Sequence, residues 1–349
     1  MKKKIGASLT LLVLSLVILA SCSMSPQQKF LKNLASSQSK EQVSGEYEVG
    51  ITNLELDSQL LASNPFLGLV VPQVKATKIS GNYTSDKKKQ LSENNIQLKL
   101  LGSTLPITTI SNENSTVLTM SSVTGFSKTL ELFQGLTGGN ASQLNSLSQA
   151  ITTNGWETNY ISVNDAVTST QSAKEKVALT AKEEKTLKSL NMELAKEMMN
   201  YFKTVDKTVF VEKDEILTMT LNKKEFQGLF SRLQKVLADN KEYQTVLNKT
   251  TSTSALPISA DTIKALADSN TYKDYEKLEL AIGINQKNQD TSFSVILSPK
   301  DSTKQGIKTI QLEGTLVYTK FKGTPKFPTK EQIITTQQLS EAMNSASKK

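Results

Sequence analysis

The sequence predicts an α+β fold in which an antiparallel β-sheet packs on several amphipathic helices. Three observations carry this reading. Two-residue alternation is concentrated between residues 43–121 and again between 275–320, and apolar residues at helical spacing dominate the stretch between them. Short Asn, Ser, Gly and Lys turns join the strands, without the regular strand-helix crossovers that a parallel sheet requires.

Taken in order, Ser-Met-Ser-Pro at residues 23–26 reads as a short polar tether, and Phe30, Leu31 and Leu34 have the spacing of a short helix that ends in the polar stretch Ser36–Lys40. Tyr47, Val49 and Ile51, followed by Leu54 and Leu56, predict a long first strand with a slip or bulge near Asn53. Lys78–Tyr83 begins a second strand, Ile96–Leu100 a third, and Ile107–Ile110 and Thr116–Met120 two more. The run Lys87-Lys88-Lys89 suits a solvated hairpin tip. Between the first two strands, Leu60–Pro72 is dense in apolar residues without a clear period, and Pro65 and Pro72 argue against regular structure. It reads either as a loop folded over the end of the core, or as an apolar lid or bilayer contact built on Phe66, Leu67 and Leu69.

In the middle, Gly125–Gly135 and Leu144–Ile151 have helical spacing. Thr180 and Glu183 match a capping box ahead of a face made by Leu187, Leu190, Leu194, Met198 and Tyr201. A strand carrying Leu217, Met219 and Leu221 follows. Asn222–Glu225 then caps a helix whose face is Phe226, Leu229, Phe230, Leu233, Val236 and Leu237, and a short helix spans Ala260–Ala267. Strands return with Leu278, Leu280, Ile282 and Ile284, with Phe293, Val295 and Leu297, and with a long strand from Ile310 to Tyr318. One-sided alternation predicts a sheet with one buried and one wet face. The expected division is one α+β domain over 41–345, with strands over 43–121, helices over 125–203 and 223–268, and strands over 275–320. The tail from Pro325 reads as loop with one turn of helix around Glu341.

The N-terminus carries a different kind of information. Lys2, Lys3 and Lys4 precede the largely apolar run Leu9–Ala20, which has the layout of a secretory signal. That run is about 12 residues, short of the ~20 a spanning helix needs. Leu19-Ala20-Ser21-Cys22 resembles the lipobox of bacterial lipoproteins. The resemblance implies a signal peptide over 1–21, cleavage just before Cys22, a diacylglycerol on its sulfur, and a lipidated tether and short helix over 22–40. The protein is then expected on the extracytoplasmic face of the cell membrane. Two acyl chains bury on the order of 30 methylenes, roughly 20 kcal/mol, which holds a protein to a bilayer unaided.

Loss of residues 1–21 leaves 328 residues and lowers the formal charge from +8 to +5, a mild excess that does not call for a nucleic-acid partner. The single cysteine excludes an intramolecular disulfide and CxxC chemistry. With no histidine, Ser-His-Asp and Cys-His nucleophiles and His-rich zinc sites are excluded too. Ser-x-x-Lys occurs at Ser37–Lys40, Ser85–Lys88 and Ser345–Lys348, and Ser162-Val163-Asn164 could pose as a second element, but the third element of a penicillin-recognising enzyme is missing. The acidic pairs Glu183-Glu184 and Asp214-Glu215 read as solvated structure, and Gly138-Gly139 lacks the lysine of a phosphate loop. No catalytic, cofactor-binding or metal-ligating residue is expected, and the protein is read as a non-enzyme.

The element order and the lipoprotein signal together are similar to the LolA and LppX-like lipoprotein carriers. That resemblance implies a curved sheet, an incomplete barrel, wrapped around helices, with an apolar cavity between them for a lipid. The strand faces ending at Leu316 and Tyr318 and the helix face Phe226–Leu237 would be its walls. A structural or protein-interaction lipoprotein without a small ligand is the alternative; a solute-binding lipoprotein of a transporter would show strand-helix alternation that this chain lacks.

Overall fold

A computed structural model describes residues 24–38, 40–100, 102–113, 115–137, 142–162, 180–251 and 259–346. The leader, Cys22, Val163, Asn164, Gly138 and Gly139 lie outside the described residues. Among the described residues the fold is α+β, with 11 helices and an open sheet of 12 strands that is not closed into a barrel, in the order β12 (Ile333–Ile334), β6 (Tyr160–Ser162), β5 (Thr116–Thr119), β4 (Ser103–Ser111), β3 (Leu91–Leu100), β2 (Lys78–Asp86), β1 (Gln42–Leu56), β11 (Ile307–Thr319), β10 (Thr291–Pro299), β9 (Tyr275–Asn285), β8 (Ile216–Asn222), β7 (Phe210–Lys213). Neighbours from β6 to β1 and from β10 to β7 pair antiparallel, and β12 pairs with β6 in parallel. The chain forms two compact units, each assembled from separate stretches: unit 1 from Met1–Lys40, Thr52–Gly68 and Glu175–Thr315, unit 2 from Glu41–Ile51, Leu69–Lys174 and Leu316–Lys349.

Unit 1 contains α1 (Pro26–Gln38), α2 (Ser58–Ser63), α6 (Ala181–Thr204), α7 (Lys223–Ala238), α8 (Lys241–Thr251), α9 (Ala260–Ala267) and α10 (Ser302–Gln305). Its strands are β7 (Phe210–Lys213), β8 (Ile216–Asn222), β9 (Tyr275–Asn285), β10 (Thr291–Pro299) and most of β11 (Ile307–Thr319). Both expected capping boxes form: Thr180 with Glu183 opens α6, and Asn222 with Glu225 opens α7. Register explains the core. Met219 pairs Ile282 and Ile282 pairs Phe293, while Leu221 pairs Leu280 and Leu280 pairs Val295, so alternate residues fall on one face. Against it pack Phe30, Leu31 and Leu34 of α1, Leu190 and Phe202 of α6, and Phe226, Leu229, Phe230, Leu233 and Leu237 of α7. Phe30 meets Phe210 at 5.6 Å between ring centroids, and Phe226 stacks near Phe230 at 6.4 Å. The α7 face expected to line a cavity is therefore buried in a close-packed core.

Unit 2 holds most of β1 (Gln42–Leu56), β2 (Lys78–Asp86), β3 (Leu91–Leu100), β4 (Ser103–Ser111), β5 (Thr116–Thr119), β6 (Tyr160–Ser162) and β12 (Ile333–Ile334). Its helices are α4 (Met120–Thr137), α5 (Ser142–Thr153) and α11 (Thr336–Ala346). Among the described residues one core cluster is Met120, Ile151 and Ile161, flanked by Leu118, Val123, Leu147, Trp156 and Leu339, and Leu105, Ile110, Val117, Ala150 and Ile334 are buried as well. On the neighbouring strands two tyrosines cover two glycines. Tyr47 is paired with Gly81 and Tyr83 with Gly45, and a Cβ on Gly81 would lie 2.8 Å from the Tyr47 hydroxyl. Tyr47 donates to Asn94 Oδ1 at 2.8 Å, which fixes the ring over its glycine. The chain after β11 is clasped to this unit by Thr324, whose hydroxyl donates to the buried Asp86 carboxylate at 2.6 Å. That bond and one from Gln42 hold the Asp86 carboxyl below the ordinary carboxylate range.

The long first strand forms as β1 over Gln42–Leu56. Three expectations are corrected. The stretch Leu60–Pro72 is two helices, α2 and α3 (Phe66–Lys75), inside the range assigned to strands. β6 interrupts the range 125–203 assigned to helices, because residues 160–162 pair with β5. The turn expected around Glu341 is the 11-residue helix α11.

Candidate functional site

Helix forms across Leu60–Pro72 because its ends are supplied locally. Asp57 caps α2, its carboxylate accepting from the Gln59 and Leu60 amides, and Pro65 sits at the start of α3, where a missing N–H costs nothing. Pro72 lies inside α3, where it has no N–H for the Gly68 carbonyl and its ring crowds that carbonyl, which weakens the helix locally near its last turn. Leu67, Val70, Val71 and Val74 recur at helical spacing and are half-buried. The other face is apolar as well. Phe66 keeps 66% of its surface exposed and Leu69 72%, so of the three lid residues two are presented to solvent and Leu67 turns partly inward.

Hydrogen bonds place the start of this segment at a defined end of the unit 1 sheet. Asn222, Tyr275 and Pro299 mark that end, because β8 finishes where β9 begins and β9 begins where β10 finishes. Gln27, at the start of α1, donates to the Phe202 carbonyl of α6. Tyr201 of α6 donates to the Glu225 carbonyl in the first turn of α7 at 2.7 Å. Lys223 Nζ donates to the carbonyls of Tyr275 and Glu276, both at 2.9 Å. The Lys300 amide donates to the Asp274 carbonyl at 2.9 Å, and Ser302 donates to Asp57 at 2.6 Å. These links join the entry of α1, the exit of α6, the start of α7 and the start of α2 at one sheet end. The Ser302 bond also lowers the Asp57 carboxyl, with the Gln59 and Leu60 amides adding to it.

At this same end lies a groove of about 490 Å³, lined by Tyr201, Thr204, Asp206, Lys224, Gln227 and Arg232 among others. Its floor is Gly228, where a Cβ would stand 2.7 Å from the Tyr201 hydroxyl. Burial, reinforced by the nearby Glu225, pushes Tyr201 up to about 12, so its hydroxyl stays protonated as a donor. Arg232 lies over the Tyr201 ring at 5.5 Å and hydrogen-bonds Glu197 at 3.2 Å and Thr204 at 3.1 Å. Sequence pattern alone does not reveal this groove, which needs the end of α6 beside the polar face of α7; its one local trace is Gly228 within the amphipathic helix α7.

The remaining sequence candidates do not converge. Lys88 is ion-paired with Glu41 at 2.6 Å, away from any partnership with Ser85. Glu183 serves the α6 capping box and Lys249, and Asp214 and Glu215 form the positive-φ turn between β7 and β8. Among the described residues no three His, Cys, Asp or Glu side chains gather in a way that could hold a metal ion, and no helix is long and apolar enough to cross a membrane. No known protein family, curated protein or solved structure matches the chain.

Proposed function

We propose that this protein is an extracytoplasmic lipoprotein, tethered through a diacylglyceryl group on Cys22, that binds membrane lipid through the exposed apolar face of α3 and carries out no catalysis. The observation that carries the reading is the exposure of Phe66 and Leu69 on α3, the helix that follows α2, whose Asp57 cap is tied to the same end of unit 1 as the entry of α1. Four residue steps separate Cys22 from Pro26, at most about 14 Å of chain, so an acylated Cys22 would hold that end against the bilayer. Phe66 then faces the apolar phase that its exposure otherwise leaves unsatisfied. The acyl chains supply the attachment; α3 supplies orientation and contact with lipid.

Two measurements test this. Metabolic labelling with a radioactive fatty acid should mark the wild-type chain and leave Cys22→Ala unlabelled; equal labelling of both would remove the anchor. Phe66→Ser with Leu69→Ser should weaken vesicle binding of the chain beginning at Ser23 by about 100-fold, the loss of roughly 3 kcal/mol of apolar burial, with the thermal midpoint unchanged. A large drop in the midpoint instead would make α3 part of the core.

A further inference from the structure

We infer that the last turn of α3 and the neighbouring ends of β2 and β3 form a basic patch that seats the apolar face of α3 on a bilayer of anionic phospholipid. Lys75 stands in the last turn of α3, Lys78 opens β2 three residues later, and Lys99 lies directly across from Lys78 on β3. Three chain steps span at most about 11 Å, and residues directly opposite on paired strands stand about 5 Å apart at Cβ, so the three lysines share one end of the unit 2 sheet. All three are exposed. Across β1–β4, the last two rows of the wet face at that end are Gly50, Lys78, Lys99 and Thr104, then Glu48, Ser80, Gln97 and Pro106. The one carboxylate there, Glu48, ion-pairs with Lys78 at 2.7 Å. The Lys75 and Lys99 ammoniums have no hydrogen bond or ion pair among the described residues, which leaves two uncompensated positive charges.

Two further features point to an anionic lipid surface as the occupant. The helix dipole accounts for a lysine in the last turn of α3, but lysines directly opposed across a strand pair repel, and an external anion relieves that repulsion. On α3, Phe66, Leu69, Pro72 and Lys75 follow one another at i, i+3, i+6 and i+9, and all four are exposed. An apolar row that ends in cations meets acyl chains and anionic headgroups together. The inference rests on the reading that α3 touches lipid and adds the charge of that lipid.

The test uses the chain from Ser23, which keeps every described helix and strand, with vesicles of phosphatidylglycerol or of phosphatidylcholine. With two uncompensated ammoniums each contributing about fivefold at an anionic surface, wild type should prefer phosphatidylglycerol by roughly 25-fold. Lys75→Gln with Lys99→Gln should bring that ratio close to one and leave phosphatidylcholine binding unchanged. Lys87→Gln with Lys89→Gln, the same charge change beyond the far end of β2 and about 26 Å along the strand from Lys78, should leave the ratio intact. A ratio that survives Lys75→Gln with Lys99→Gln, or falls equally with both pairs, overturns the patch. Phe66→Ser with Leu69→Ser should lower binding to both vesicles at constant ratio. No effect of that pair on phosphatidylcholine binding would overturn the apolar-helix reading and this inference with it, whereas a wild-type ratio near one with that effect intact would overturn this inference alone.

Discussion

Unit 1 buries its apolar residues in one continuous cluster drawn from α1, α6, α7, α9 and β7–β10, whereas among the described residues of unit 2 the buried apolar side chains are fewer: Met120, Ile151 and Ile161 in one cluster, with Leu105, Ile110, Val117, Ala150 and Ile334 besides. The difference lies in what covers each set of strands. In unit 1 a three-turn stripe of Phe and Leu on α7 lies across strands whose inward residues are Leu, Ile, Met, Phe and Val. In unit 2 the β1–β3 region relies on cross-strand devices, with Tyr47 and Tyr83 folded over glycines and a Ser44–Thr84 hydroxyl pair at 2.9 Å. One unit is held by helix-on-sheet packing, the other by side chains lying along the sheet itself.

Large-to-small changes should separate the two most strongly. Phe230→Ala, in the unit 1 core at 1% exposure, should cost about 3–5 kcal/mol in a urea titration, and Ile151→Ala about 2 kcal/mol, because a small cluster closes over its cavity more easily. Equal losses would make the two cores equivalent. Next comes Gly81→Ala, whose Cβ would meet the Asn95 carbonyl oxygen at 2.2 Å as well as the Tyr47 hydroxyl. It should cost about 1–3 kcal/mol, and pairing it with Tyr47→Ala should not relieve the loss, since the backbone clash stays. Relief would show that the ring, not the neighbouring strand, demands glycine.

The smallest effect concerns unit 1. Lys249, then the Thr180 amide, hold the Glu183 carboxyl at about 2, below its ordinary 4.5. A depressed carboxyl stabilises the folded chain above pH 4.5, and that contribution is lost as the pH falls toward 2. The urea midpoints of wild type and Glu183→Gln should therefore differ at pH 6 and converge near pH 2; a difference that persists at low pH would assign the effect to the cap hydrogen bond alone.

Legibility in the sequence follows the same division. The capping boxes at Thr180 and Asn222, the α7 stripe and the alternation of β8 and β9 are local patterns, and each appears where its period places it. The α3 helix is hidden because Pro65 and Pro72 signal breakage, although Pro65 stands just before the first turn and Pro72 only begins the last turn of the Phe66–Lys75 helix. β6 and β12 are too short to show a period, and their pairing depends on contact between residues 160–161 and 333–334. The apolar residues Phe66 and Leu69 were visible as candidates, but their exposure was not, because composition does not say which side of a helix is covered. The groove was out of reach for a related reason: Arg232 and Tyr201 meet only through tertiary packing.

The most direct test of the proposed bilayer contact at α3 is depth-dependent tryptophan quenching, in vesicles that contain brominated lipid, on the protein carrying the lipid proposed for Cys22. Trp156, the only native tryptophan, is replaced by Phe, and a single reporter is placed by Phe66→Trp or, as comparison, by Val211→Trp on β7, which is 54% exposed. The reporter at 66 should be strongly quenched and the reporter at 211 hardly at all. Equal quenching at both positions, or none at 66, would contradict the assignment of α3 to the bilayer.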